Sequence, residues 1–164
     1  MKKLRLLFTQ DCNKNCEGCC NKDWDLDSLP KCTDYSKYDE ILITGGEPML
    51  YPDRLDFLIN KIRKESEAKI YIYTAKPTHV LIYWIKESKI DGITLTIHKE
   101  DDVDTFYLFN LLLTAFGECD DKSLRLNVFK GINTPDTKNR WKVKSNMEWI
   151  KDCPLPKNEV FMKY

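Results

Sequence analysis

Three cysteines, Cys12-x-x-x-Cys16-x-x-Cys19, have the type and spacing to do metal chemistry. They lie in the run Asp11-Cys12-Asn13-Lys14-Asn15-Cys16-Glu17-Gly18-Cys19-Cys20-Asn21, just after a short apolar segment. Close spacing with Gly and Asn between is how a ligand loop reads. A cubane iron–sulfur cluster normally takes four protein thiolates, so three leave one iron open. Open positions are where metals do chemistry rather than hold a chain together. Cys20 directly follows Cys19, so its side chain points elsewhere and is not counted as a ligand. The chain has seven cysteines. With an odd count and no secretory signal, no disulfide framework is expected. Cys32, Cys119 and Cys153 are isolated and read as small buried hydrophobes or idle thiols.

The second constellation is Thr44-Gly45-Gly46-Glu47-Pro48. Two glycines let a backbone approach a ligand closely and present its N–H groups. Glu47 is a carboxylate at the C-terminal end of an expected strand, where α/β folds put their ligands. Alone, the segment reads equally as a strand-to-helix turn. His98, near the end of another strand, is either a ligand contact or a satisfied polar residue at the mouth of the fold. His79 reads as a solvated residue at a helix start. Asp101, Asp102 and Asp104 sit at a helix N-terminus, where the dipole favours carboxylates, and read as capping.

Those residues need a scaffold, and the pattern supplies one. Strands are expected at residues 4–9, 40–44, 69–74, 93–97 and 124–129, with a last one at 159–162. Between them, Leu55, Leu58, Ile59 and Ile62 mark a helix begun by Pro52, and Leu81, Trp84 and Ile85 mark one capped by Thr78. A third runs over 102–116 and stops at Gly117, and 146–151 reads as a short helix. Regular alternation argues for a parallel α/β sheet. Within the strands one face is aliphatic and the other carries Tyr71 and Tyr73, Thr94 and Thr96, Arg125 and Asn127. A sheet covered by helices on both faces is apolar on both. Here the helices cover one face and leave a semi-polar one, as in an open or partial barrel that holds a ligand.

At 164 residues the chain reads as a single small domain. Its 26 basic residues balance 26 acidic ones, so no global field draws it to nucleic acid or to an anionic membrane. No apolar run approaches the roughly 18–20 residues needed to span a bilayer. The basic start Met1-Lys2-Lys3-Leu4-Arg5 is interrupted by Arg5 and reads as part of a strand, and the protein as cytoplasmic.

Taken together, the two motifs resemble those of the radical S-adenosylmethionine (SAM) enzymes. Cys12-x3-Cys16-x2-Cys19 matches their cluster motif, and Gly45-Gly46-Glu47-Pro48 matches the segment that receives the SAM amino group. The resemblance implies a [4Fe–4S] cluster on Cys12, Cys16 and Cys19, with SAM on the fourth iron. It implies a partial (β/α) barrel of about five or six parallel strands, with a core over about 3–130 and a C-terminal extension over about 131–164. Gly45, Gly46, Glu47, Thr74, His98 and Asn127 are then the candidate contacts to SAM, Asn127 through its ribose. The implied partner is a small flavodoxin- or ferredoxin-like electron donor.

Cys16-Glu17-Gly18-Cys19-Cys20-Asn21-Lys22-x-Trp24 further resembles the cluster loop of the activating enzymes of anaerobic ribonucleotide reductase. That likeness implies a large glycyl-radical protein as substrate. The chain departs from it at the fourth strand, which ends Thr96-Ile97-His98 where an Asp-Gly ending is expected; Asp91-Gly92 precedes the strand instead. The substrate therefore stays open between such a protein and a small molecule or peptide. Two readings of another class are a zinc module using Cys20 or Cys32 as fourth ligand, and an electron-transfer iron–sulfur protein. The first implies a colourless protein with tightly bound zinc, and the second leaves the Gly-Gly-Glu-Pro segment unexplained.

Overall fold

The structure is a computed structural model that describes residues 1–117 and 119–164. Its elements run β1 (Lys3–Thr9), β2 (Glu40–Gly45), α1 (Pro52–Glu65), β3 (Lys69–Thr74), α2 (His79–Lys86), β4 (Gly92–Ile97), α3 (Asp101–Ala115), β5 (Ser123–Phe129), β6 (Lys142–Met147) and β7 (Glu159–Lys163). Single 3-10 turns occupy Cys20–Lys22 and Pro48–Leu50. All strands are parallel in one open sheet of order β6-β5-β4-β3-β2-β1-β7. The expected α/β architecture is present in a single small domain, with seven strands rather than five or six. No helix among the described residues is long and apolar enough to cross a membrane.

The two faces of the sheet differ because side chains alternate along each strand. Leu4, Leu6, Ile41, Ile43, Ile70 and Ile72 are fully buried on one face. They form a continuous core with Ile93, Leu95, Leu124, Leu126 and the apolar sides of all three helices. Within α1, Leu55, Leu58, Ile59 and Ile62 are each 0% exposed, so the i, i+3, i+4, i+7 stripe is the buried one. Among the described residues, no α-helix packs on the opposite face. Near β1 and β7 a smaller cluster covers it, made of Leu7, Leu26, Leu29 and Phe161 with Trp24 and Leu155.

Asp56 of α1 ties the helix layer together. It accepts from Trp84 Nε1 of α2 and Lys89 Nζ at 2.7 Å each, and from Asn60 Nδ2 at 2.8 Å. Asp91, just before β4, and Gly92, its first residue, also hold the sheet. Asp91 accepts from Arg63 Nη2 at 2.6 Å and from the backbone N–H of Ile70 at 2.8 Å. A Cβ on Gly92 would run into the Ser123 carbonyl.

Two expectations are corrected. Residues 142–147 form β6, and 148–153 carry no helix, because Trp141 and Val143 face the core while Lys142, Lys144 and Ser145 stay exposed, the alternation of a strand. Thr78 stands at the N-terminus of α2, but its hydroxyl makes no capping bond and is buried without a partner. The C-terminal residues add strands to both edges of the common sheet. Since β6 and β7 are opposite edges, the segment between them crosses the helix-free face as a strap, with Cys153 and Phe161 lining the same cavity as Leu42 and Thr44 of β2.

Burial works to raise the Asp56 pKa, but hydrogen bonds from Lys89 and Trp84 hold it below its ordinary 3.8. A depressed carboxylate stabilises the fold above its unfolded pKa, and that contribution is lost as pH falls through the folded one. Asp56→Asn should therefore cost on the order of 1–2 kcal/mol at pH 7. Urea midpoints should show the gap to the parent protein closing below about pH 4; an equal gap at pH 7 and pH 3 would count against this role.

Candidate metal and cofactor site

The site forms where β1, β2, β3 and β4 end. A cavity of about 230 Å³ there is lined by Cys12, Cys16 and Cys19, by Gly45, Gly46 and Glu47, and by Thr74 and His98. Two loops 26 residues apart at their nearest, Cys19 and Gly45, thus meet because β1 and β2 pair in register, Leu7 opposite Thr44. Asn127 does not join them. It lies in an adjoining cavity deeper on the helix-free face. A larger hollow of about 560 Å³ lies by Tyr38, Lys64 and Lys69, at the strands' opposite ends, and contains no thiol. Side-chain chemistry, not volume, singles out the smaller one.

The glycines are needed, though for a different contact from the one expected. Gly45 has φ of 138°, and a Cβ there would strike the Thr9 carbonyl; one on Gly46 would strike the Asp11 carbonyl. Gly46 N–H donates to Thr9 O at 2.7 Å and Glu47 N–H to Asp11 O at 2.8 Å. These N–H groups are therefore not presented to a ligand: they lock the β2 turn onto the start of the cysteine loop. Tyr51 adds a second tie, its hydroxyl donating to Asp11 Oδ2 at 2.7 Å.

Glu47 is 2% exposed and binds protein on both carboxylate oxygens. Oε1 accepts from Met49 N–H at 3.0 Å and from the Thr74 hydroxyl at 2.5 Å; Oε2 accepts from Ala75 N–H at 2.9 Å. The carboxylate caps the turn at Pro48–Leu50 and bolts it to the end of β3. Oε2, with one bond, keeps a lone pair for a further donor.

Among the thiols, Cys16 has a raised pKa, pushed up by burial and then by its neighbours Cys19 and Cys12, with Lys14 opposing. Without a metal it holds its proton, which a bound metal must displace. Lys14 Nζ donates to Asp102 Oδ1 at 2.6 Å, while Asp102 Oδ2 accepts from His98 N–H at 2.9 Å. Asp102 lies in the first turn of α3, where no side-chain capping bond forms; instead of the expected capping of the helix, it pins the cysteine loop to the end of β4. Burial, then Lys14, lowers the His98 pKa from 6.5, with Asp102 opposing, so the imidazole is neutral at pH 7. Its Nδ1 is buried with no hydrogen-bond partner.

Sequence reasoning missed the strap's part in the site. Trp149 lines the thiol cavity and stacks on His98 at 5.4 Å, with Phe129 4.4 Å from its ring. It lies so close over Gly18 that a Cβ there would enter its ring. Cys153 is joined in a disulfide to Cys20, with Cα atoms 5.5 Å apart. This corrects the reading of Cys153 as idle and of the chain as free of disulfides. The residues are 133 apart in sequence, and only the strap's path brings them together. Cys32 and Cys119 are buried and free. Gly18 before Cys19 and the two tryptophans of the C-terminal segment, Trp141 and Trp149, were the available signals.

Among the described residues, no three Cys, His, Asp or Glu side chains are gathered about one point to hold a single metal ion. A cubane makes no such demand, because each thiolate binds a different iron around it. Three thiols on one loop, all lining one cavity, fit a cluster with one open iron in donor type and number. Compared with known protein families, curated proteins and solved structures, the chain matches none.

The disulfide fixes a thiol count. Metal-free protein denatured without reductant should show five reactive thiols in a colorimetric assay and seven after reduction. Seven in both conditions would remove the Cys20–Cys153 bond.

Proposed function

We propose that this chain is a radical SAM enzyme, on the observation that the cysteine loop and the Gly-Gly-Glu turn line one cavity at the C-terminal ends of parallel strands. When bound, a [4Fe–4S] cluster and SAM supply reductive cleavage of the sulfonium to a 5′-deoxyadenosyl radical that takes hydrogen from a substrate. Cys12, Cys16 and Cys19 would hold the cluster. The free lone pair of Glu47 Oε2 and the unpartnered His98 Nδ1 are the polar groups left over for SAM. Gly45 and Gly46 act indirectly, by fixing the turn against the loop. Trp149, Phe129 and His98 form an aromatic wall along one side of the thiol cavity. A small electron donor must reach the cysteine loop, where Cys12 is exposed.

The likeness of the cluster loop to reductase activases makes a glycyl-radical protein one substrate. The observation favouring a small molecule is the lining of the cavity that adjoins the thiol site.

Anaerobic reconstitution should give a brown protein with about four irons per chain. Replacing Cys12, Cys16 or Cys19 by Ala should abolish the cluster, and Cys119→Ala should not. With dithionite and SAM the loaded protein should release 5′-deoxyadenosine and methionine; none from a cluster-replete sample would overturn the reading, and tightly bound zinc in place of iron would replace it with a structural module.

Glu47→Ala tests a dual role. It leaves the Thr74 and Ala75 donors unpaired in a buried place, so melting should show a loss of about 1–3 kcal/mol. SAM affinity should fall about 10-fold or more in anaerobic titration. An unchanged dissociation constant in a destabilised variant would confine Glu47 to the turn.

A further inference from the structure

The helix-free face carries a further cavity, about 260 Å³, that adjoins the thiol site and is not lined by its cysteines or by Glu47. Its lining is Tyr73, Thr94, Arg125, Asn127, Lys142 and Lys144. Strand register puts them in two rows. Tyr73, Thr94, Arg125 and Lys142 are successive partners across β3, β4, β5 and β6, and Asn127 pairs with Lys144 in the row above. Three cations and three neutral hydrogen-bonding groups therefore face one space, and no carboxylate lines it.

Lysines on an edge strand are common, because they discourage pairing with another chain. That accounts for β6 alone, but not for Arg125 on the next strand in. Among the described residues, neither Lys142 nor Lys144 has an ion-pair partner, whereas Lys3, Arg5, Lys14, Arg63 and Lys89 each do. Arg125 gives its Nε–H to Ser123 Oγ at 3.2 Å and rests on the Tyr71 ring at 5.8 Å. Both terminal nitrogens of its planar fork are left for a bidentate acceptor. Like charges facing one space repel, and an anion seated among them relieves that repulsion.

Tyr73 connects this cavity with the thiol site, since it lines both. An occupant anchored on the cations extends past Tyr73 toward Thr96 and the ends of β3 and β4, where the thiols lie. We infer that Arg125, Lys142 and Lys144 bind the carboxylate or phosphate group of a small organic anion, which is the substrate. The inference rests on the radical SAM reading for the word substrate, and on the cavity alone for the anion. The volume suits a small molecule rather than a protein loop.

Calorimetric titration of the anaerobically prepared, cluster-loaded protein at low salt tests it, with pyrophosphate and citrate as probes in separate arms. At least one should bind, and the stronger arm tells phosphate from carboxylate. Arg125→Ala, and Lys142→Ala with Lys144→Ala, should each weaken it about tenfold or more, while Lys37→Ala, outside the cavity, should not. These side chains are exposed, so melting curves should confirm folded variants. Binding of neither probe, or equal binding by the variants, would overturn the anion site. Formation of a glycyl radical on an added reductase subunit by the Arg125 and lysine variants at the parent rate would overturn the substrate role. Should the parent protein bind the probe and the variants lose it while no deoxyadenosine is ever released, the anion site stands and the radical reading falls.

Discussion

One buried anion holds the site together. Burying a carboxylate costs several kcal/mol unless hydrogen bonds replace its water. Glu47 meets that demand with three donors from two places, its own turn and the end of β3. The direction of the chain after β2 is thereby set. The turn in turn gives its N–H groups to Thr9 and Asp11, which fixes where the cysteine loop leaves β1. A displacement at Glu47 would be passed through two backbone hydrogen bonds to Cys12.

The sheet is unusual among parallel ones in how its second face is covered. All three helices lie on the aliphatic side, and the other side is roofed by the residues after the cysteines and by the strap. Irregular chain packs less tightly than a helix, so hollows remain, and they are lined by what the strands present there: hydroxyls, an amide and cations. The same alternation that seals the core on one side thus furnishes polar walls on the other.

Much of this was legible in the sequence, because periodicity is local. The strands from β1 to β5 and the three helices lie within a residue or two of their patterns, and the split between aliphatic and polar faces was visible in Ile93-Thr94-Leu95-Thr96-Ile97. The meeting of the cysteine loop with Gly45, Gly46 and Glu47 followed from strand adjacency. What failed was long-range. Lys142-Val143-Lys144 has one apolar residue, too few to mark a strand until Arg125 and Asn127 lie beside it. Trp149 over Gly18 and the Cys20–Cys153 bond depend on a crossing that no local pattern encodes. Glu47 was expected to present its carboxylate to a ligand, and most of that capacity goes to the fold instead.

The position of β7 has a consequence for how the molecule is made. It pairs with β1, Lys3 opposite Glu159, so β1 waits until β7 has been made before its outer edge is paired. At typical synthesis speeds that wait is roughly 8–30 s. During it β1 offers a free row of hydrogen-bonding groups, and the thiols behind it are not yet roofed by Trp149. The β1 edge is therefore at its most exposed and the thiols at their most accessible in the same interval, and both conditions end together when the strap is laid down.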